Sequence, residues 1–357
     1  MIDLYGWSDA LQASFAPHAA DGLAPARVLA QHRGLWRVMT AEGERNARLS
    51  GRFAADASPG EHPVVGDWLA VSGGGAADEV TVHALMPRQS AFSRRAVSGG
   101  GVQVIAANVD VVFLVAALNA DLNLRRLERY LVAARESGAA PVIVLTKTDL
   151  SAEPEKEIGH VAEVAGGAPV VALSARTGVG LDGLTPWLKP GSTAALLGSS
   201  GAGKSTLLNA LAGATLMDTG AIRDSDDRGR HTTTHRELFR LPSGALLVDT
   251  PGMREFSVLA GDAALEASFA DIVELFPHCR FGDCKHTTEP GCAVLAALAD
   301  GSLTDERWRA YLKLQGELAF DARKGDPAAE AAHRRHWKQI NKSQRARNKM
   351  RRSSDDD

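Results

Sequence analysis

Cysteine is scarce in this 357-residue chain: Cys279, Cys284 and Cys292 are all there are, and they fall inside one short window. An odd, clustered set argues against a disulfide framework and for metal ligation. Aromatic residues are few, at 5%, but apolar residues make up 45%, an ordinary share for a chain that buries a core. No apolar run approaches the roughly 20 residues that span a bilayer, so no membrane partner is expected. The opening MIDLYGWSDALQ has no basic segment followed by an apolar one, so no secretory leader is expected and the cytoplasm is the expected compartment. Acidic residues are missing from one stretch. Residues 331–352 hold nine Lys or Arg and no Asp or Glu, although the whole chain carries a formal net charge of −3. A basic run on an acidic body points to a local anionic partner such as RNA, and Trp337 within it is suited to stack on a base. The length predicts two or three domains, and there is no internal repeat.

What the chain does have is centred on Ala194–Gly213, AALLGSSGAGKSTLLNALAG. Ala194–Leu197 reads as a buried strand. Gly198, Ser199, Ser200, Gly201, Ala202, Gly203, Lys204 and Ser205 then fit the G-x-x-x-x-G-K-[ST] phosphate loop at every position. Thr206–Leu211 continues as a helix that Gly213 is placed to end. Such a loop wraps backbone N–H groups around phosphate oxygens, and the helix N-terminus adds favourable partial charge. Lys204 is expected to reach the β- and γ-phosphates and Ser205 to hold Mg²⁺, with Thr206 beside them in the nucleotide site.

Upstream, residues 1–25 are Ala-rich without a strong period and read as a loose lead-in. From Arg27 to Arg95, short strands alternate with turns. Leu35–Thr40, Arg45–Leu49, Val64–Val71 and Glu79–Leu85 are strand candidates, punctuated by Gly43, Pro59-Gly60 and Gly73-Gly74-Gly75. About five short strands predict a small barrel, and the pattern alone leaves an OB-fold and an SH3-like barrel equally open. Trp36 and Trp68 are expected in its core. Ser98–Gly101 reads as a linker. Beyond it, strands at Asp110–Leu118, Pro141–Leu145 and Pro169–Leu173 alternate with helices, one of them capped by Asp121, as in a parallel α/β sheet. A hairpin, Leu238–Leu241 and Ala245–Val248, follows the phosphate loop. A helix at Ala263–Phe276 leads into the cysteine window, and another spans Thr304–Phe320.

Four segments fall at predicted C-terminal strand ends, where open α/β sheets bind ligands. Asp249-Thr-Pro-Gly252 follows Ala245–Val248; Asp249 is suited to hold Mg²⁺ through water, and Gly252 to contact a γ-phosphate. Thr146, Lys147, Thr148 and Asp149 follow Pro141–Leu145, with Asp149 suited to accept from guanine N1–H and N2–H₂. Ser174 and Ala175 follow Leu173 and could offer a backbone N–H to guanine O6. The phosphate loop is the fourth. The base-reading pieces precede the phosphate loop, the reverse of most GTPases, as a circular permutation would produce.

This order, together with Gly229-Arg-His-Thr-Thr-Thr234, the DTPGMREF of 249–256 and the C-terminal Cys/His cluster, resembles the ribosome small-subunit-dependent GTPase A family. The resemblance covers about Arg27 to Phe320. It implies a multidomain chain: an N-terminal OB-fold β-barrel (1–100), a central circularly permuted α/β P-loop GTPase domain (101–260) and a C-terminal α-helical zinc-binding domain (261–357). It also implies GTP hydrolysis to GDP stimulated by the 30S subunit, a role late in 30S maturation, and contact with 16S rRNA by a monomer. The rival reading is an RNA-binding module with a structural, slowly hydrolysed nucleotide. Thr146 stands where many GTPases have Asn; the lost amide contact near the base predicts modest nucleotide affinity.

Met253 occupies the place after D-x-x-G where Ras-like proteins put a water-orienting Gln, so another group must serve. His231, in the expected switch I, is the candidate, and it resembles the family's catalytic histidine. Thr233 is the favoured second Mg²⁺ ligand, with Thr232 nearly as suitable. Cys279-x₄-Cys284-x-His286-x₅-Cys292 supplies a closed Cys₃His set for one structural, tetrahedral zinc. His278 could replace His286; the resemblance favours His286.

Overall fold

The computed structural model describes residues 1–32, 34–58, 60–73, 79–95, 102–119, 122–215, 237–249 and 262–324. The N-terminus is not a loose lead-in. A 3₁₀ turn at Ile2–Tyr5 leads to helix α1 (Asp9–Ala20), whose first turn is capped by Ser8 accepting from the Leu11 N–H at 3.3 Å. Leu11 and Phe15, one helical turn apart, are buried with Ile2 against Trp68 and Met86, and Trp7 packs edge-on to Phe15 and Trp68. Two large side chains among alanines are enough to seat the helix, and their signal is diluted in the sequence.

Strands β1 (Ala24–His32), β2 (Leu35–Thr40) and β3 (Gly43–Leu49) form a meander, followed by helix α2 (Gly51–Asp56), β4 (Trp68–Ser72) and β5 (Glu79–Leu85). They pair in the order β1-β2-β3-β5-β4, and β4 returns to β1, which closes a five-stranded barrel. The β3–β5 pair is parallel and the rest antiparallel. This is the OB-fold order, which settles the choice that strand pattern alone leaves open. Alternating residues such as Val28, Val38, Leu69 and Val82 fill the interior. Trp36 is buried in the barrel interior as expected, whereas Trp68 is buried outside it, under α1. Strands β6 (Ala91–Arg95) and β7 (Val102–Ala107) pair antiparallel with each other; Ser98–Gly101, read as a linker, lies outside the described residues.

The central sheet comprises β8 (Val111–Ala117), β9 (Ala140–Thr146), β10 (Val170–Ala172), β11 (Thr193–Leu197), β12 (Glu237–Arg240) and β13 (Leu246–Asp249). Its order is β10-β9-β8-β11-β13-β12, all parallel except β12. The strands β8 and β9 are continuous apolar runs because helices and loops cover both faces. Helices α3 (Leu124–Glu136), α4 (Pro154–Val164) and α5 (Lys204–Ala212) connect them. The expected cap Asp121 lies outside the described residues; Asn123 caps α3, its side chain accepting from the Arg126 N–H at 3.0 Å.

The sheet continues into the barrel. Glu237 of β12 pairs with Ala30 of β1, and Arg37 forms ion pairs with Glu237 and, at 2.8 Å, with Glu44. Arg27 ties three parts together: its buried guanidinium donates to the carbonyls of Tyr5 and Asn108 and to Thr193 Oγ1 of β11, and lies over the Trp68 ring. Burial pushes its pKa down to about 10.

The C-terminal part is helical: α6 (Asp262–Ser268), α7 (Ala270–Val273), a 3₁₀ turn at Phe276–His278, α8 (Ala293–Asp300) and α9 (Asp305–Lys324). The single helix expected over Ala263–Phe276 is broken at Phe269, whose φ of −124° and ψ of 39° are not helical. Phe269, Ile272, Val294, Trp308 and Leu314 form a core that includes Val132 and Ala133 of α3. Arg307 locks this contact. Its buried guanidinium bonds Glu128 of α3 at 2.6 Å, both oxygens of Asp271 at 2.8 and 3.0 Å, and the Ser268 carbonyl at 3.0 Å, and it lies 4.2 Å from the Phe269 ring. No helix among the described residues is long and apolar enough to cross a membrane.

Candidate functional site

The parallel strands place their C-terminal ends on one edge, and the sequence-predicted nucleotide segments lie there. Gly198 follows β11, Thr146 closes β9, Ser174 lies two residues after β10, and Asp249 is the last residue of β13. Gly252, His231, Thr232, Thr233 and the 331–352 basic run lie outside the described residues.

The phosphate loop is shaped by its glycines. A Cβ on Gly198 would stand 2.2 Å from the Val115 carbonyl oxygen of β8, so the loop leaves the sheet in a slot only glycine fits. Gly201 and Gly203 have φ of +76° and +91°, which side chains other than glycine rarely adopt. Ala202 is buried; Lys204, Ser205 and Thr206 open α5 and are half-buried, and Ser199 and Ser200 lie at the open side of the loop. The Lys204 ammonium donates to the carbonyls of Gly198 and Ser199 at 2.7 and 2.6 Å, which holds the side chain back across the loop. Gly198→Ala is therefore expected to deform the loop and lower GTP affinity at least tenfold. Gly201→Ala, with open space around its Cβ but φ at +76°, should cost less. Equal affinities for Gly198→Ala and the parent would refute the steric argument.

Thr146 has a role the sequence did not expose. The residue is 1% exposed; its hydroxyl donates to the Ala202 carbonyl at 2.6 Å, and Gly203 passes so close that a Cβ there would lie 3.2 Å from Thr146 Oγ1. The residue in the Asn position thus ties the 146–149 segment, expected to read the base, to the 198–205 loop. Lys147 takes a left-handed φ of +62° that turns the chain so that Asp149, in the 3₁₀ turn Thr148–Leu150, is exposed at the strand-end edge. The Thr148 N–H bonds the Leu173 carbonyl at 3.4 Å, which joins this loop to the Ser174-Ala175 turn. In that turn Ser174 is buried, its N–H held by the Val179 carbonyl and its Oγ accepting from the Thr177 N–H, while Ala175 is half-exposed.

Far along the chain, Cys279, Cys284, His286 and Cys292 converge, with all four ligand atoms within 4.8 Å of one another. Cys279 Sγ and Cys292 Sγ are 4.0 Å apart, and each lies 3.5 Å from His286 Nδ1. A tetrahedral ion with bonds of about 2.3 Å to sulfur and 2.0–2.1 Å to nitrogen has ligand separations of roughly 3.5–3.8 Å, so the donor set fits a closed metal centre. Backbone N–H groups of Ala293 and Leu295 point at the sulfurs of Cys279 and Cys292, and Cys292 caps α8, where the helix N-terminus favours a thiolate. His286 sits at φ +56° and stacks on Phe276 at 4.5 Å. Its turn is braced by Glu289, whose carboxylate accepts from the N–H groups of Thr287, Lys285 and Thr288; these bonds hold its pKa down at about 2. His278 is not part of the converging set.

The family model described as RsgA GTPase matches residues 85–259. A protein of Opitutus terrae named small ribosomal subunit biogenesis GTPase RsgA is 48% identical over 97% of both chains. A protein of the same name from Methanosarcina acetivorans is 42% identical over 94% of this chain and 90% of its own. Among solved structures, YjeQ from Thermotoga maritima superposes with a TM-score of 0.63 at 26% identity, covering 83% of this chain and 99% of that one. YloQ, described as a circularly permuted GTPase, gives 0.60 at 26% identity, over 83% and 95%. Barrel, permuted strand order, phosphate loop and Cys/His centre therefore have one common explanation: the chain belongs to the RsgA GTPase family of GTP hydrolases.

Proposed function

We infer that this protein binds the small (30S) ribosomal subunit, acts late in its maturation, and hydrolyses GTP to GDP and phosphate with stimulation by the subunit. The observation that carries the reading is the joining of two loops. Thr146 of the base-reading segment is hydrogen-bonded to Ala202 of the phosphate loop, in a chain whose relatives are named small ribosomal subunit biogenesis GTPases.

In this reading Asp149, with the Ala175 N–H, selects guanine, and the N–H groups of 199–206 cradle the phosphates. Lys204 exchanges its two loop carbonyls for β- and γ-phosphate oxygens. Ser205 and Thr233 would hold Mg²⁺, with Asp249 reaching it through water; the ion, when bound, neutralises charge on the phosphates. Gly252 N–H meets the γ-phosphate, and His231 orients the attacking water. The Cys₃His centre would hold one structural zinc, since four protein ligands leave no open position. The three parts divide near residues 100 and 260. Barrel, C-terminal helices and basic run would contact 16S rRNA, with the protein acting as a cytoplasmic monomer.

Turnover with and without purified 30S subunits tests this. The free protein is expected to hydrolyse GTP slowly, from about the intrinsic Ras rate to a few tens of times faster, and the subunit to raise it by orders of magnitude. His231→Ala should remove most of the stimulated turnover with little change in GTP affinity, since the loss falls in the transition state. No stimulation of the parent protein would favour the RNA-binding module with a slowly hydrolysed nucleotide.

A further inference from the structure

A small cleft lies where α9 crosses α3. Its floor is apolar, from Ala310 and the buried Leu314. Its rim carries three cations, Arg125 and Arg129 of α3 and Lys313 of α9. Two carboxylates also line it, but each is engaged. Glu128 is bonded to Arg307 at 2.6 Å, and Glu317 takes a two-point bond from Arg129 at 2.8 and 3.1 Å. Among the described residues, Arg125 and Lys313 have no ion-pair partner, although both are exposed and face the same cleft. Arg307 is shared between Glu128 and Asp271, and Arg125 also acts electrostatically on Glu128, so the four cations of the cleft and its network face three carboxylates and the site carries a net positive charge of one.

Size narrows what can enter. The free volume is about 20 Å³, room for one or two water-sized groups. The cleft is open to solvent, so a phosphate oxygen fits on its floor while the rest of the ligand stays outside. Arg125 lies in the first turn of α3, a 13-residue helix, so the N-terminal partial charge has the same sign as the rim. On the α9 side, the helix leads in sequence toward the nine Lys or Arg of 331–352.

We propose that Arg125 and Lys313 form a phosphate clamp for the RNA backbone, placed across the joint between the GTPase sheet's helix α3 and the C-terminal helix α9. It rests on the small-subunit reading above and adds a contact site to it. Phosphate contacts position an RNA without reading its sequence. One phosphate held from both sides would also pin the C-terminal helices to α3, beside the Arg307 lock.

The test uses the full-length, metal-loaded protein. Binding to purified 30S subunits, and separately to a 20-nucleotide poly(U) RNA, is measured between 50 and 200 mM KCl for the parent, Arg125→Glu, Lys313→Glu and the double variant. Arg309→Glu is the control: it makes the same charge change on α9, outside the cleft. Each lost phosphate contact lowers the log–log salt slope by about 0.7–0.9. We therefore expect each cleft variant to weaken binding several-fold and flatten the slope by that amount. Because both groups hold the same phosphate, the double variant should flatten it no further than either single variant, an additive change would overturn the shared clamp, and Arg309→Glu should leave the slope within error. Thermal melts of these exposed-site variants should match the parent. Unchanged slopes in the cleft variants, or an equal change in Arg309→Glu, would overturn the clamp. If the parent fails to bind subunits while poly(U) slopes still fall in the cleft variants, the small-subunit reading fails and the clamp stands.

Discussion

Asp149→Asn should convert a guanine-selective protein into one that prefers xanthine nucleotides. The carboxylate of Asp149 is exposed at the end of β9, placed there by the left-handed turn at Lys147 and by the Thr148–Leu173 backbone bond. Two acceptor oxygens match the two donors of a guanine edge, N1–H and N2–H₂, as a charge-assisted pair. Adenine presents no donor at either place. A site built on such a pair can reject the wrong base by a factor of roughly 10⁴. The amide keeps one acceptor and adds one donor, which meets the carbonyl that xanthine carries in place of the guanine amine. Titrations with GTP, ATP and XTP should therefore show GTP affinity falling by about three to four orders of magnitude and XTP binding appearing. The phosphate-loop contacts are untouched, so the variant should still bind a nucleotide. Wild-type protein that takes ATP as readily as GTP, or a variant that keeps its guanine preference, would remove Asp149 from the role.

The second large effect is expected at the Cys/His centre. Cys292 is 5% exposed, lies within 4.0 Å of Cys279 and 3.5 Å of His286, and caps α8. Cys292→Ala removes one of the four converging donors and the cap together. Structural zinc contributes about 10–16 kcal/mol of apparent binding free energy in isolated finger peptides. Here the core of Phe269, Ile272 and Trp308 survives the loss, so the cost is a fraction of that, on the order of several kcal/mol. At about 2–4 °C per kcal/mol for a unit of 150–250 residues, the melting temperature should fall by roughly 10 °C or more. Metal content should drop from about one equivalent to near zero. A strong chelator should lower the melting temperature of the parent by a similar amount and leave the variant unmoved, which separates loss of the ion from loss of the cap. Protein purified without chelator that contains no zinc would refute the assignment. Cys284→Ala, at a half-buried ligand that caps no helix, gives an independent reading of the ion alone.

Four of the five barrel strands, β2 to β5, are legible because alternation and Gly or Pro punctuation are local signals, whereas β1 (Ala24–His32) has no candidate in the sequence; β8 and β9 are legible because a strand covered on both faces is apolar throughout. Closure was another matter. The OB order depends on β3 meeting β5 in parallel and β4 returning to β1, pairings that strand pattern does not encode. Helix α1 leaves no clear period in the sequence because only Leu11 and Phe15 of its twelve residues are buried.

By itself, the sequence determined which candidate groups lie close together along the chain. The eight residues from Gly198 to Ser205, the T-K-x-D of 146–149 and the Cys₃His window of 279–292 are each patterns of residue types at short spacing, which backbone geometry converts directly into position. The tertiary structure decided what joins these parts. The Thr146 hydroxyl meets Ala202 across 56 residues, Arg27 meets Thr193 across 166, and Arg307 meets Glu128 across 179. A single hydrogen bond between residues so far apart leaves no periodic trace in either segment, because each partner's neighbours are selected for their own strand or helix. Only the folded chain brings such pairs within 3 Å.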